Sequence, residues 1–306
     1  MKNITFRQLR VFEAVARNLS FSRAAEQMFL TQPAVSMQVK QLEEMVGLPL
    51  TGQIGKKIHL TEAGEEMAHQ ARLILRQLRE AEESIAQLKG LQSGRLTLGL
   101  VSSAKYFAPR LLVGFRKIYP QAELHLSVSN REAIIKQLID GDIDLAIMGR
   151  PPAQVETTSH IFADNPLVFV AAADNQLVKE NSISPSRLGQ ELFLTRESGS
   201  GTRLAMEEFF YDADIQPPAS VEMSSSETIK QAVMAGMGIA FISRQAILLE
   251  MAAGLLTCLN VRNTPVMRKW YIVSLAEKKL LPMPVAFRNF LLETGSALLA
   301  SQPLVD

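Results

Sequence analysis

Gln32, Ser36, Met37 and Lys40 share one face of the segment LTQPAVSMQVKQLEE, residues 30–44. The opposite stripe is Val35, Val39, Leu42 and Val46, a three-to-four spacing that buries one side of a helix. The exposed set has the chemistry of base reading. A Gln amide pairs bidentately with adenine, a Ser hydroxyl bonds several bases, and a Lys reaches guanine or phosphate. Pro33 and Met37 suit apolar contact with thymine methyls, and Pro33 is tolerated because the first helical amides have no partner within the helix. Spacing alone equally allows a solvated face of a three-helix bundle.

A second set of polar residues falls in the other half of the chain, just beyond expected strand ends. It comprises Ser102, Ser103 and Lys105; Asn130 and Arg131; Gly149 and Arg150; Ser200, Thr202 and Arg203 of the run GSGTR; and Thr228. Hydroxyls, glycine amides at a helix start and cations are suited to holding an anion. GSGTR lacks the GxxxxGK[ST] spacing, so nucleotide hydrolysis is not indicated. Each of these residues could instead serve only as a cap or turn. Other chemistries have little support. No nucleophile stands beside a base, and His59, His69, His125 and His160 lack metal-ligand spacing. The single Cys258 cannot form an intrachain disulfide and fits a reducing compartment. No metal or resident cofactor is expected.

The elements that must carry the first set read clearly. Residues 5–16 form a helix with Phe6, Leu9, Phe12, Ala14 and Val15 inward. Ser20 caps a short helix over residues 21–28, centred on Ala24 and Ala25. Residues 28–30 turn, and Thr31 caps the segment described above. Helix, tight turn and second helix make a helix-turn-helix, whose second helix enters the major groove. Residues 53–60 read as a hairpin or wing that places Lys56 and Lys57 beside the phosphate backbone, with a solvated turn as the alternative. Residues 1–60 hold eight basic and four acidic side chains in a chain of net charge +1, a basic end on a mildly acidic body.

Residues 61–89 contain no proline and open with Thr61, Glu62, Glu65 and Glu66, a good helix start. Met67, Ala71, Ile74, Leu78, Ala81, Ile85 and Leu88 alternate steps of four and three, a heptad seam. No neighbouring segment is an obvious partner, so the seam is expected to meet a second copy; packing on its own domain is the alternative. A two-fold dimer would present two recognition helices to two half-sites of double-stranded DNA. Residues 90–94 read as a hinge.

Beyond the hinge, strands and helices alternate through two βαβ runs, which predicts two α/β lobes with mostly parallel sheets. The expected division is residues 1–60, 61–90 and 91–306. Lobe I covers about 95–162 and 267–306, and lobe II about 163–266. No apolar stretch reaches the ~18 residues of a membrane span, and MKNITFRQLR lacks the apolar run of a signal peptide. The expected location is cytoplasmic, with no membrane partner. An enzyme on a two-lobe scaffold acting on a phosphorylated molecule, or an exported solute-binding protein, are the competing functions.

SFSRAAEQMFLTQPAVSMQVKQLEE, LTEAG and the two α/β lobes together resemble LysR-type transcriptional regulators over essentially the whole chain. KYFAPRLL, NRE, MGRPP, GSGTR and ETIKQAVMAGMGI are similar to the regulators of bacterial carbon-fixation operons. The resemblance implies an α/β protein with an amino-terminal all-α winged helix-turn-helix, a long linker helix and a two-lobe effector domain of the periplasmic-binding-protein type. It implies a dimer through the linker helix, a tetramer built by the effector lobes, and a transcriptional activator with RNA polymerase as a candidate partner. It also implies a small anionic metabolite in the interlobe cleft: a phosphorylated sugar or acid, or NADPH. One departure stands out. Leu50-Thr51-Gly52-Gln53 replaces the family's usual aromatic and charge before the wing, which predicts a looser wing base.

Overall fold

The computed structural model describes residues 4–55, 57–88, 94–216 and 219–300. These fall into two compact units, one running through the long helix and a larger one that holds the whole of the main sheet. Each is described by itself.

The first unit opens with α1 (Phe6–Asn18), α2 (Phe21–Met28) and α3 (Gln32–Val46). Thr5 and Gln8 form a reciprocal capping box: Gln8 N–H donates to the Thr5 hydroxyl at 3.2 Å, and Thr5 N–H donates to Gln8 Oε1 at 2.9 Å. Ser20 caps α2 by accepting from Arg23 N–H at 3.3 Å. The chain turns through Phe29, which adopts a left-handed conformation at φ 54°. Thr31 sits at the start of α3, but its side chain makes no capping hydrogen bond. Pro33 in that first turn lacks an amide, so one of the donors a cap would satisfy is missing. Phe12, Val15, Ala24, Ala25, Val39 and Leu42 close the core.

A two-stranded wing follows, β1 (Thr51–Ile54) antiparallel to β2 (Lys57–Leu60). The expectation of a loose wing base is overturned. Glu43 Oε1 accepts from Leu50 N–H at 2.8 Å, Thr51 N–H at 3.0 Å and the Thr51 hydroxyl at 3.2 Å. Gly52 lies against the His59 ring, where a Cβ would fall 2.5 Å from Nε2. The polar Thr and small Gly therefore fit a different but well-bonded base. Lys56 lies outside the described residues; Lys57 is exposed.

Thr61 accepts from Gly64 N–H at 3.0 Å and donates to the Pro49 carbonyl at 2.7 Å, fixing the start of α4 (Glu62–Leu88). The helix approaches Leu50 so closely that a Cβ at Gly64 would stand 1.9 Å from the Leu50 carbonyl oxygen. That explains the glycine of LTEAG. The seam on α4 is divided, which corrects its reading as one uninterrupted interface. Ala71 is fully buried and Met67 packs on the core of its own unit, because α1 lies along this part of α4. Leu78 is half-buried, and Ile74, Ala81 and Ile85 are exposed. The Leu88 side chain lies outside those described.

In the second unit the chain runs β3 (Gly94–Val101), a 3-10 turn at Ala104–Tyr106, α5 (Ala108–Ile118), β4 (Ala122–Ser129), α6 (Arg131–Ile139), β5 (Leu145–Met148) and β6 (Thr157–Ala172). It continues with α7 (Pro185–Leu188), β7 (Phe193–Arg196), α8 (Gly201–Asp212), β8 (Ser220–Met223), α9 (Ser226–Met234) and β9 (Ile239–Ser243). It closes with α10 (Leu248–Ala252), β10 (Leu256–Cys258), β11 (Val266–Leu275) and α11 (Pro282–Ala300).

The strands form one nine-stranded sheet in the order β4-β3-β5-β11-β6-β9-β7-β8, with β10 also on β6. The sheet is mixed. β3, β4 and β5 are parallel, as are β7, β8 and β9, while β6, β10 and β11 pair antiparallel. β6 starts at Thr157, ahead of the expected lobe boundary near residue 163. Its first half serves lobe I and its second half lobe II, and β11 returns beside it through both. Lobe I packs α5 and α11 over Leu98, Leu100, Ile147 and Trp270. Lobe II has one core around Phe169, Phe193 and Phe210, and another around Val170, Leu194 and Val233.

Candidate DNA interface and effector cleft

On α3 the buried residues are Val35, Val39 and Leu42. Gln32, Pro33, Met37 and Lys40 are exposed and Ser36 half-buried, so the proposed reading face is open. Gln32 Nε2 donates to Ser36 Oγ at 2.9 Å, which leaves Gln32 Oε1 and the Ser36 hydroxyl proton for a base edge. The sequence reading missed Glu43, which ties the wing to this same helix. Its only sequence signal was an acid in the last turns of α3. Near the start of α1 an apolar groove of about 770 Å³ is lined by Ile4, Phe6, Leu9, Leu48, Met67 and Ile74. It runs onto the exposed part of the seam through Ile74.

The cleft follows from strand register. The carboxyl end of β5, Met148, pairs with Tyr271, which pairs with Ile161 of β6. The carboxyl end of β9, Ser243, pairs with Leu167 of β6. Both parallel triplets therefore end against the short interval 161–167, and the residues beyond them meet over β6 and β11. That is where open α/β sheets bind ligands.

Lobe I supplies several groups here. Ser102 Oγ donates to the Ser129 carbonyl at 3.1 Å. Ser103 starts the 3-10 turn without a side-chain cap bond, and Lys105 Nζ lies 5.1 Å from the Tyr106 ring centre. Asn130 Oδ1 caps α6 by accepting from Ala133 N–H at 2.9 Å. Arg131 is half-buried, and Nη2 donates to the Pro151 carbonyl at 3.0 Å. Among the described residues no carboxylate pairs with Arg131. Burial, and then the positive charge of Arg150, hold its pKa below the ordinary guanidinium value. A half-buried guanidinium without a carboxylate partner favours an anion. At the floor, Ser243 Oγ donates to Asn165 Oδ1 at 2.7 Å, and a Cβ on Gly149 would meet Asn165 Nδ2 at 3.5 Å.

Lobe II supplies Ser200, buried at the start of α8, and Thr202, half-buried in its first turn. Arg203 is engaged elsewhere. It donates to Glu207 at 2.9 Å, to Glu222 and to the Arg196 carbonyl. The hydrogen bonds it donates to Glu207 and Glu222 raise its pKa. Its expected place in shared anion binding is corrected accordingly: it braces α8 to β8. Arg196 is the buried cation at the end of β7, bidentate to Glu197 and donating to Ser226 Oγ at 2.8 Å. Ser225 caps α9 by accepting from Thr228 N–H at 3.4 Å, and the Thr228 side chain is exposed.

Side-chain bonds cross between the lobes. Arg150 Nη1 reaches Glu208 of α8 at 3.4 Å, and Glu208 also takes Arg268 of β11. Tyr106 donates to Glu227 of α9 at 3.2 Å. None of these acids was in the expected set, because carboxylates do not suggest an anion site until their arginine and tyrosine partners are placed.

The sequence matches the description "Bacterial regulatory helix-turn-helix protein, lysR family" over residues 6–65 and "LysR substrate binding domain" over residues 89–296. The chain belongs to the LysR family of transcriptional regulators. This LysR regulator is 47% identical over 285 residues to the HTH-type transcriptional regulator CbbR of Rhodospirillum rubrum, covering 93% of this chain and 95% of that one. It is 45% identical over 294 residues to the RuBisCO operon transcriptional regulator of Allochromatium vinosum, covering 96% and 97%. Its effector domain resembles the CcmR regulatory domain of Synechocystis PCC6803 in complex with 2-PG, with TM-score 0.63 and 38% identity, covering 66% of this chain and 97% of that one. As a LysR regulator it binds DNA, oligomerises and responds to a small molecule; it is not an enzyme. No helix among its described residues is long and apolar enough to cross a membrane.

Proposed function

We infer that this LysR regulator controls carbon-fixation genes in the cytoplasm and responds to a small phosphorylated acid bound between its lobes. The single observation that carries the effector class is Arg131, half-buried beyond the end of β4, bonded to the Pro151 carbonyl and paired with no carboxylate among the described residues. The two relatives named for RuBisCO-operon and CbbR regulation support the target, and the 2-PG complex of the CcmR domain supports the ligand class. Ser102, Ser103 and Asn130 would orient the ligand from lobe I, and Ser200 and Thr202 from lobe II. The exposed part of the α4 seam, with the groove beside it, would take a second copy, and the effector lobes would build the tetramer.

Calorimetry on the full chain with 2-phosphoglycolate, a sugar bisphosphate, NADPH and sulfate tests the effector. Binding of a phosphorylated acid with no response to sulfate is expected. Genome-wide mapping of the DNA this protein occupies in its host tests the target. Occupancy that avoids carboxylase genes would overturn that part of the reading.

A further inference from the structure

Tyr106 and Phe107 are neighbours in the chain but are anchored in opposite lobes. Phe107 is fully buried in lobe I, edge-on to Trp270 with ring centres 4.8 Å apart. The Tyr106 ring instead packs on the lobe II core that contains Ala246, Ile247 and Val233. Its hydroxyl donates to Glu227 Oε2 at 3.2 Å. Lys230 Nζ lies 4.4 Å from the ring centre. That lysine is only 4% exposed and pairs with Glu250 at 2.6 Å and Glu227 at 3.0 Å. A buried ammonium is costly unless its charge is met on every side. Here two carboxylates come from lobe II, and an aromatic face comes from lobe I.

Resting on the effector reading above, we propose that Tyr106 is a latch that couples ligand binding at residues 102–105 to the arrangement of the two lobes. The polar turn Ser102, Ser103 and Lys105 leads directly into Tyr106. With Phe107 fixed in lobe I, the lobes cannot separate unless Tyr106 leaves Lys230 and Glu227. Separation would also strip the aromatic face from a buried charge. The latched arrangement holds the turn at residues 102–105 beside α9 of lobe II. An anion that orders the turn therefore stabilises the latch, and the latch in turn tightens binding by raising the competent population. Tyr106 acts through position and not as a ligand contact.

The test uses the full chain with its single cysteine replaced, Cys258→Ser, and spin labels at Lys117→Cys on α5 and Asp212→Cys on α8. Labelled protein is diluted with unlabelled protein so that distances within one chain dominate. Tyr106→Ala should broaden or lengthen the lobe-to-lobe distance distribution. An unchanged distribution overturns the latch. In parallel, 2-phosphoglycolate affinity should fall about tenfold in Tyr106→Ala through loss of the competent population. It should fall about threefold in Tyr106→Phe, which loses one hydrogen bond but keeps the ring. Altered distances with wild-type affinity overturn the coupling. Should Tyr106→Ala fail to fold, the cycle of Tyr106→Phe with Glu227→Gln decides: effects on distance that simply add overturn the latch, and a double variant no worse than either single one supports it. If the wild type binds no phosphorylated acid, the effector reading fails, and the distance measurements alone judge the latch.

Discussion

At the scale of single residues, chemistry is set by what each polar group already holds. Gln32 and Ser36 are bonded to each other on an exposed helix face, yet each keeps capacity for a base edge. Gln32→Ala and Ser36→Ala should each weaken operator binding by about 1–3 kcal/mol and leave random DNA almost unaffected. Competition titrations with both DNAs check this, and equal losses on the two would remove base reading from these residues. Arg131 and Arg203 form a contrasting pair. Arg203 is committed to Glu207 and Glu222, whereas Arg131 donates to the Pro151 carbonyl and pairs with no carboxylate among the described residues. Arg131→Ala should abolish the response to a phosphorylated acid with DNA affinity retained, while Arg203→Ala should chiefly lower stability, as calorimetry and thermal melting would separate. Glu227 adds a pH dependence. The hydrogen bond from Lys230 holds its carboxyl below the ordinary value of 4.5. A depressed carboxylate stabilises the fold above its unfolded pKa and loses that contribution as pH falls through its folded pKa. Lobe distances should therefore stay constant around neutral pH and loosen only on acidification below the usual carboxylate range.

At the scale of elements, α4 does two jobs along one stripe. Its first turns are internal, pressed on Leu50 and the core, and farther along Ile74, Ala81 and Ile85 are exposed. Gly64→Ala would place a methyl into the Leu50 carbonyl. Overpacking of that kind costs about 1–3 kcal/mol or more, and urea unfolding should show the loss. Leu78→Asp with Ile85→Asp changes the exposed part. It should leave the fold of one chain intact but dissociate the α4-mediated dimer, lowering mass in solution and operator affinity together. Unchanged mass would return the seam to internal packing. The wing also depends on an element outside itself, since Glu43 of α3 bonds both Leu50 and Thr51. Lys57→Ala should reduce the salt slope of binding to any DNA by roughly 0.9 if it meets one phosphate.

At the scale of the whole molecule, the effector unit is one sheet bent into two jobs by β6 and β11. Their middle residues are the floor of the cleft, and the ends of both parallel triplets converge on them. Ion pairs and the Tyr106 bond then span the gap from each side. A ligand there can shift the lobes only by as much as it prefers one arrangement. In a dimer that addresses two half-sites at a fixed spacing, such a change would reach DNA through oligomer geometry.

The sequence by itself determined the local parts. Heptad and strand periodicity, Ser20, Thr61 and the Pro33 start of α3 were legible because caps and periodic burial depend on residues a few positions apart. The order of α/β elements also fixed two lobes and placed Ser102, Asn130 and Arg150 at strand ends. Tertiary structure decided what required distant partners. It divided the seam at Ala71, bonded Thr51 to Glu43, took Arg203 away to Glu222, and set Tyr106 on a buried Lys230. Each of these depends on groups that different elements bring together, and the type of one residue carries no information about which charge or carbonyl the fold will bring beside it.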